Sequence, residues 1–245
     1  MKTNRIGLDE RRAARTVRTV RGAGFTLIEL LVVISVMAIL AGFTVSVLGG
    51  VERQKKIGVA TAELHQIESA LDAYKAQYGT YPPSNTNAAV NGVSAALYSQ
   101  LYYELNGVFP TNNQGTLYYV TLDNSAWIRA ADVQTIFGVG GFVNCWKGSG
   151  DEASPSKNFL AGLRPNELAS VAAGGAYFTN LVTTVRGPDS RYEPLGVADV
   201  NPFRYQFPGT NNVNSYDLWV QLVMNGKTNL ICNWSPGVLR NNPAP

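Results

Sequence analysis

The chain has 245 residues and a formal net charge of +3, and its length allows one or two domains. Seven of the 20 basic side chains, but only two of the 17 acidic ones, lie in residues 1–24, so the rest of the chain has 13 basic and 15 acidic side chains. The basic excess is therefore confined to the first 24 residues. The remainder lacks the cationic surplus that draws a protein to the phosphates of nucleic acid, and we expect no nucleic-acid partner.

An apolar segment follows this basic leader and spans residues 25–48, with Glu29 as its single charge. As a helix it extends about 36 Å, which exceeds the hydrocarbon core of about 30 Å. A lone segment in lipid satisfies its backbone only as a helix. The sequence therefore predicts a transmembrane helix at 25–48. The arginine-rich flank favours the cytoplasmic side, so the rest of the chain faces outward.

A helical period continues beyond the apolar segment as one stripe on a 3.6-residue repeat. The stripe consists of Ile57, Leu64, Ile67, Leu71, Tyr74 and Tyr78. We assign the charged residues of this stretch to the opposite, solvent-exposed face: Glu52, Arg53, Lys55, Lys56, Glu63, Glu68, Asp72 and Lys75. Gly79 can supply a left-handed cap, and Pro82-Pro83 cannot continue a helix. We therefore expect one long helix over 25–78.

The remaining residues, 79–245, predict a globular head with an antiparallel sheet, which makes the fold class α+β. Short β-rich runs separated by turn residues indicate strands at Thr116–Leu122, Ala176–Val185, Arg204–Phe207, Asp217–Met224 and Asn229–Asn233. Asn225-Gly226 between the last two runs is a hairpin signal. Two stretches predict short helices, Leu97–Leu105 and Pro165–Ala172.

The junction between leader and apolar segment carries a motif. The words Arg21-Gly22-Ala23-Gly24 and Phe25-Thr26-Leu27-Ile28-Glu29 resemble the class III signal of type IV pilins and type II secretion pseudopilins. The resemblance implies that a prepilin peptidase removes residues 1–24 by cleaving between Gly24 and Phe25, and that Phe25 is then N-methylated. It also implies that Glu29 pairs with the terminal amine of a neighbouring subunit during assembly.

Four later stretches are similar to the major pseudopilin of type II secretion systems. They are Tyr78-Gly79-Thr80-Tyr81-Pro82, Tyr205-Gln206-Phe207-Pro208-Gly209, Ser215-Tyr216-Asp217-Leu218-Trp219 and Cys232-Asn233-Trp234. The resemblance covers residues 21–83 and 201–234. Residues 84–200 lie outside it and indicate an enlarged middle insertion in the head.

This resemblance implies a structural subunit of a periplasmic pseudopilus, anchored by a single pass in the inner membrane. The implied partners are the prepilin peptidase, copies of itself and other pseudopilins, and the inner-membrane assembly platform. Two alternatives remain: a type IV pilin of a surface pilus, and a membrane-anchored binding protein or enzyme with residues 84–200 as a ligand-binding insert. His65, the single histidine, lies on the long helix away from any nucleophile, so we expect no catalytic site.

The two cysteines, Cys145 and Cys232, allow a disulfide if the head is outside the cytoplasm, or two separate buried thiols. They do not have the spacing of a metal site. The related pseudopilins bind calcium with an acidic loop, but no carboxylate follows Asp217 in the corresponding strand. Calcium prefers several carboxylates among six to eight oxygen ligands. We therefore expect Asp217 to cap a turn, and we assign no cofactor.

Overall fold

The computed structural model describes residues 24–87, 89–90, 93–148, 155–185, 193–224 and 226–241, without the side chains of residues 43–49, 89–90 and 93. The chain divides into two compact units, residues 1–49 and 50–245. The predicted leader lies outside the described residues except for Gly24.

Helix α1 runs from Leu27 to Tyr78 and contributes to both units. In the first unit its described apolar side chains point outward in every direction, since Leu27 is 81% exposed, Ile34 55% and Leu40 59%. Across the described residues no helix combines the length and apolarity needed to cross a membrane. The predicted span at 25–48 includes residues 43–48, whose side chains are not described, and it stays a prediction.

In the second unit α1 carries the predicted apolar stripe. Five of its six members are buried and join the main core of the head, while Tyr78 is partly buried. The helix ends as predicted, because Gly79 adopts a φ of 76° and its N–H donates to the carbonyl of Lys75 at 2.8 Å. One assignment was wrong. Glu63 was placed on the solvent face, but it is only 5% exposed.

Glu63 is buried because the head supplies hydrogen-bond donors to it. The Thr183 hydroxyl donates to its Oε2 at 2.6 Å, and the backbone N–H and hydroxyl of Thr184 also donate to the carboxylate. Arg164 adds a cation, with Nη2 3.8 Å from Oε1. A buried carboxylate is tolerated when it is paired in this way, and here it ties α1 to the head.

The head is built from short helices and antiparallel hairpins. Its helices are α2 (Leu101–Asn106) and α3 (Ala130–Phe137), with 3-10 turns at Ala95–Leu97 and Pro165–Glu167. Its described strands are β1 (Ala89–Val90), β2 (Val93–Ser94), β3 (Val108–Asn113), β4 (Thr116–Thr121), β5 (Trp127–Arg129), β6 (Leu168–Ala173), β7 (Ala176–Leu181), β8 (Arg204–Gln206), β9 (Asp217–Met224), β10 (Lys227–Cys232) and β11 (Leu239–Arg240).

The carboxyl-terminal sheet has the order β11-β10-β9-β8, and a three-stranded sheet, β3-β4-β5, is formed within residues 84–200. The pairs β6-β7 and β1-β2 are separate hairpins. Strand β9 has the predicted bounds, and Met224 pairs with Lys227 across a two-residue turn, which confirms the predicted hairpin. Asn225 itself lies outside the described residues.

The helix predicted at Pro165–Ala172 was wrong. Only one 3-10 turn forms there, and Leu168 begins strand β6. The signal for a strand lies downstream, where Gly174 and Gly175 take φ values of 57° and 80°. Two consecutive residues with positive φ form the kind of turn that closes a hairpin, and β6 pairs with β7 across it. Strands β3 and β5 and helix α3 were not predicted.

A second buried carboxylate, Glu104 of α2, joins three parts of the head. It is fully buried and accepts the backbone N–H groups of Val143 and Asn144, each at 2.9 Å. The hydroxyl of Tyr74 on α1 donates to it at 3.0 Å. Burial raises the pKa of Glu104, against the opposing effect of these bonds. The side chain therefore connects α1, α2 and the segment after α3.

The Asn144 amide extends this connection. Its Nδ2 donates to the carbonyls of Glu104 and Lys157 at 2.7 and 2.6 Å, and its Oδ1 accepts the Tyr78 hydroxyl at 2.7 Å. Gly107 lets these segments approach: a Cβ there would lie 2.9 Å from the Lys157 carbonyl oxygen. Glycine is therefore required at this position.

Both carboxylate oxygens of Glu104 accept backbone N–H groups. Replacing Glu104 with glutamine therefore places an NH2 group, itself a donor, opposite one of these N–H donors. We expect Glu104→Gln to lower the free energy of unfolding of a 50–245 fragment by about 3 kcal/mol. Tyr74→Phe is the matched variant, since it removes a single donor and should cost about 1 kcal/mol. Urea denaturation followed by near-UV circular dichroism measures both. Equal effects of the two variants would contradict the central role of the carboxylate.

Candidate functional site

The amino-terminal site is held by a local capping arrangement. Thr26 precedes the first residue of α1, and its backbone N–H and hydroxyl both donate to Oε2 of Glu29 at 2.8 Å. In return the Glu29 N–H donates to the Thr26 hydroxyl at 3.3 Å. This is a capping box, in which the side chains of the N-cap and N3 residues bond each other's backbone. Glu29 thus stabilises the start of α1 within its own chain.

The capping box was missed in the sequence, although its signal is present as the spacing Thr-x-x-Glu. It adds a second role for Glu29 beside the predicted assembly role. Glutamine serves as well as glutamate at this position of a capping box. The cap therefore needs a hydrogen-bonding oxygen, whereas an ion pair with a neighbouring amine needs the charge.

Gly24 and Phe25 lie next to this cap and are accessible in the described structure. Phe25 is 81% exposed, and a Cβ added at Gly24 meets no described atom within 4 Å. The described part of the fold therefore imposes no requirement for glycine at position 24. A requirement found there would come from a partner that handles the junction.

Cys145 and Cys232 are free thiols in the described structure, and the disulfide that the sequence allowed between them stays a prediction. Cys145 is half-buried against the main core, and its backbone forms an isolated parallel β-bridge with that of Val108. Cys232 ends β10 and packs in a separate small cluster with Trp219 and Leu230. The two thiols therefore belong to different clusters of the head. Burial raises the pKa of each thiol.

Asp217 closes the loop that precedes β9. It is fully buried, and its Oδ2 accepts the N–H groups of Thr210 and Asn211 at 2.8 Å each, while Oδ1 accepts that of Asn212 at 2.9 Å. A Cβ at Gly209 would lie 2.6 Å from Oδ1 of Asp217, so the backbone approaches the carboxylate closely. This confirms the prediction that Asp217 caps a turn.

The Asp217 carboxylate thus organises this loop by accepting hydrogen bonds from backbone amides. A group of three or more histidine, cysteine, aspartate or glutamate side chains able to hold a metal ion is not found within the described parts of the chain. The loop from Gly209 to Asp217 is fixed by amide donors, with Gly209 N–H also bonded to the Ser215 carbonyl at 2.8 Å.

Comparison with known proteins identifies the class of proteins that share the amino-terminal site. The family model described as the prokaryotic N-terminal methylation motif matches residues 21–45. These residues include the Gly24–Phe25 junction, the Thr26–Glu29 cap and the outward-facing apolar start of α1. The chain therefore carries the amino-terminal motif of prokaryotic pilin-like proteins.

Two curated relatives narrow this class. The chain is 37% identical over 78 residues to type II secretion system core protein G of Aeromonas hydrophila, which is 31% of this chain and 54% of that protein. It is 40% identical over 60 residues to the protein of the same name from Pseudomonas aeruginosa, covering 24% and 42%. The chain spans about half the length of these relatives and is homologous to them over that part. No solved structure matches it.

If Asp217 organises its loop through backbone amides, replacing one of its oxygens with an amide group should be costly. We expect Asp217→Asn to lower the free energy of unfolding by about 2–4 kcal/mol, since buried donors lose their acceptor. Asp132→Asn is the matched control: Asp132 forms an exposed ion pair with Arg129 at 2.6 Å, and its loss should cost less than about 1 kcal/mol. Urea denaturation of the 50–245 fragment compares them.

Thermal denaturation of the same fragment with and without a calcium chelator tests whether amides alone fix the loop. The melting temperature of the wild-type fragment should not change when the chelator is added. A drop in melting temperature on chelation would show that a calcium ion, and not the amide cap, organises the loop.

Proposed function

We propose that this protein is a structural subunit of a type II secretion pseudopilus and has no catalytic activity. In this proposal a prepilin peptidase cleaves after Gly24 and methylates Phe25. The mature chain is held in the inner membrane by residues 25–48, with its head in the periplasm. Copies of the chain then assemble, with other pseudopilins and an inner-membrane platform, into a filament that supports protein export.

The observation that carries the proposal is the apolar start of α1 with its motif. Residues 25–34 expose large apolar side chains such as Phe25 at 81% and Ile28 at 69%. An apolar surface that surrounds a helix must be covered by lipid or by other helices. A pseudopilin would meet both conditions, because lipid covers this surface in the membrane and other helices cover it in the filament. The homology to core protein G favours this function over a surface pilus.

The division of the chain also supports a structural role. The second unit packs its core on the apolar stripe of α1, and its buried carboxylates, Glu63 and Glu104, are engaged by threonine hydroxyls, backbone amides and a tyrosine hydroxyl. They serve to connect α1 with the head. The enlarged middle, residues 84–200, contributes a separate sheet, β3-β4-β5, to the head.

Processing is the first test of the proposal. Because a side chain at position 24 meets no described atom of the chain itself, Gly24→Leu should leave folding intact and block the peptidase. In the native cell, uncleaved precursor should accumulate in the membrane, as measured by immunoblotting and intact mass. The wild-type protein should begin with N-methylated Phe25. Gly42→Ala is the control and should be processed normally; normal processing of Gly24→Leu would exclude the proposed cleavage site.

Glu29 provides the second test, because its cap and its charge can be separated. Glu29→Gln keeps an oxygen that accepts the Thr26 bonds but removes the charge, whereas Glu29→Ala removes both. If the carboxylate pairs with the terminal amine of a neighbouring subunit, both variants should lose filament yield to a similar extent, as measured by chemical crosslinking of assembled subunits. Both should remain membrane-integral in carbonate extraction, since removing an intramembrane charge favours insertion.

The comparison of the two variants decides between the roles. Wild-type filament yield from Glu29→Gln, together with loss in Glu29→Ala, would mean that Glu29 acts only as a helix cap. In that case the predicted ion pair with the neighbouring Phe25 amine would be wrong.

A further inference from the structure

A recess in the second unit is lined by three cations from distant parts of the chain. It has a volume of about 510 Å³ and lies between Arg53 of α1, Lys227 at the start of β10 and Arg240 of β11, with Met224, Asn229 and Asn241 completing the wall. None of these lining residues is acidic. Most ligand sites have volumes of about 300–1,000 Å³, so the recess can hold a small anionic group.

The recess is held in shape by a buried side chain. Asn229 is 1% exposed, and its Oδ1 accepts a hydrogen bond from Nη2 of Arg53 at 2.7 Å. Its Nδ2 donates to the carbonyls of Leu222 and Lys227 at 3.2 and 3.1 Å. Arg53 is thus oriented by an amide that is itself fixed in the β9-β10 hairpin.

The three cations have no carboxylate partner within the described residues. The ion pairs formed there involve other residues, including Lys56 with Glu52 at 2.7 Å and Arg164 with Glu167 at 2.8 Å. Beyond residues 1–24 the acidic side chains outnumber the basic ones, so three unpaired cations around one recess are not a consequence of overall charge. Such a set attracts an anion that offers several oxygens, and arginine suits phosphate best.

The position of Arg53 in the sequence indicates the source of the anion. Arg53 follows the last residue of the apolar segment, Leu48, by five positions, so the two are at most about 18 Å apart in any conformation. The headgroup layer of a bilayer lies directly outside its hydrocarbon core. If residues 25–48 span the membrane, the recess is within reach of this layer, where each lysine or arginine gains about 1 kcal/mol from anionic lipid.

We infer that this recess binds the phosphate group of an anionic phospholipid. The inference rests on the membrane span of the proposed function and extends it, because the apolar segment holds the chain in the bilayer and the recess binds its surface. Because a lipid headgroup and free inorganic phosphate offer the same phosphate oxygens, the test must distinguish these two ligands. A carboxylate of a second copy is the competing occupant.

The experiment uses the full chain in maltoside micelles, to which phosphatidylglycerol or phosphatidylcholine is added. Acylation of Lys227, quantified by peptide mass spectrometry, reports occupancy of the recess, with Lys147 as an exposed internal reference. Phosphatidylglycerol should slow acylation of Lys227 but not of Lys147, and phosphatidylcholine should have a much smaller effect. Inorganic phosphate at the same concentration should not protect Lys227.

Two matched variants test the contribution of the cations. The variant Lys227→Gln with Arg240→Gln removes two exposed cations and leaves the bond of Arg53 with Asn229. It should weaken retention of phosphatidylglycerol in native mass spectrometry by about 25-fold, since each cation contributes about fivefold. The control, Arg129→Gln with Lys147→Gln, removes the same charge elsewhere and should retain the lipid.

The inference would be overturned if inorganic phosphate protected Lys227 as well as phosphatidylglycerol does, or if phosphatidylglycerol protected Lys147 as well as Lys227. It would also be overturned if the control variant lost as much lipid as the variant Lys227→Gln with Arg240→Gln. A fourth contrary result is protection of Lys227 only in assembled filaments without anionic lipid. The last result would assign the recess to a second copy. Carbonate extraction separates this inference from the proposed function. A chain that is not membrane-integral contradicts both, whereas a membrane-integral chain with unprotected Lys227 contradicts the lipid site alone.

Discussion

The fold of the head depends on a carboxylate that is removed from water and given new donors. Glu104 is fully buried, and the fold supplies two backbone N–H groups and the Tyr74 hydroxyl to it. A buried charge without partners is very unfavourable, so its donors must be in place together. This requirement couples α1, α2 and the segment after α3, which are also joined by the hydrogen bonds of the Asn144 amide. An irregular region thereby obtains one defined arrangement.

The same device recurs at two other places in the head. Glu63 accepts donors from Thr183 and Thr184 and so joins α1 to the segment after β7. Asp217 accepts three successive backbone amides and fixes the loop before β9. Each carboxylate satisfies backbone groups in a segment without regular secondary structure, where the ladder of a sheet or helix cannot do so. The head is therefore organised by charge-assisted hydrogen bonds as well as by its core.

The described part of the amino-terminal unit follows a different principle, because its apolar residues face outward and the Glu29 carboxylate is held locally. Glu29 bonds to Thr26, three residues away, and the helix that follows offers apolar side chains on every side. Such a segment is complete only in lipid or against other helices. The proposed filament subunit would require this contrast between a self-contained head and an amino-terminal helix whose apolar surface is left to be covered by lipid or by other helices.

The sequence by itself determined the features that depend on local spacing. The stripe on α1, its end at Gly79, strand β9 and the signal around Gly24 and Glu29 all follow from periodicity or short motifs. Only the tertiary structure decided the fate of Glu63 and Glu104, because their donors lie 120 and about 40 residues away. The helical period predicts a solvent-exposed carboxylate, because the distant segment that covers it cannot be identified from local spacing. Likewise, only the tertiary structure places Cys145 and Cys232 in separate clusters, since a sequence determines which groups can bond but not which ones lie close together.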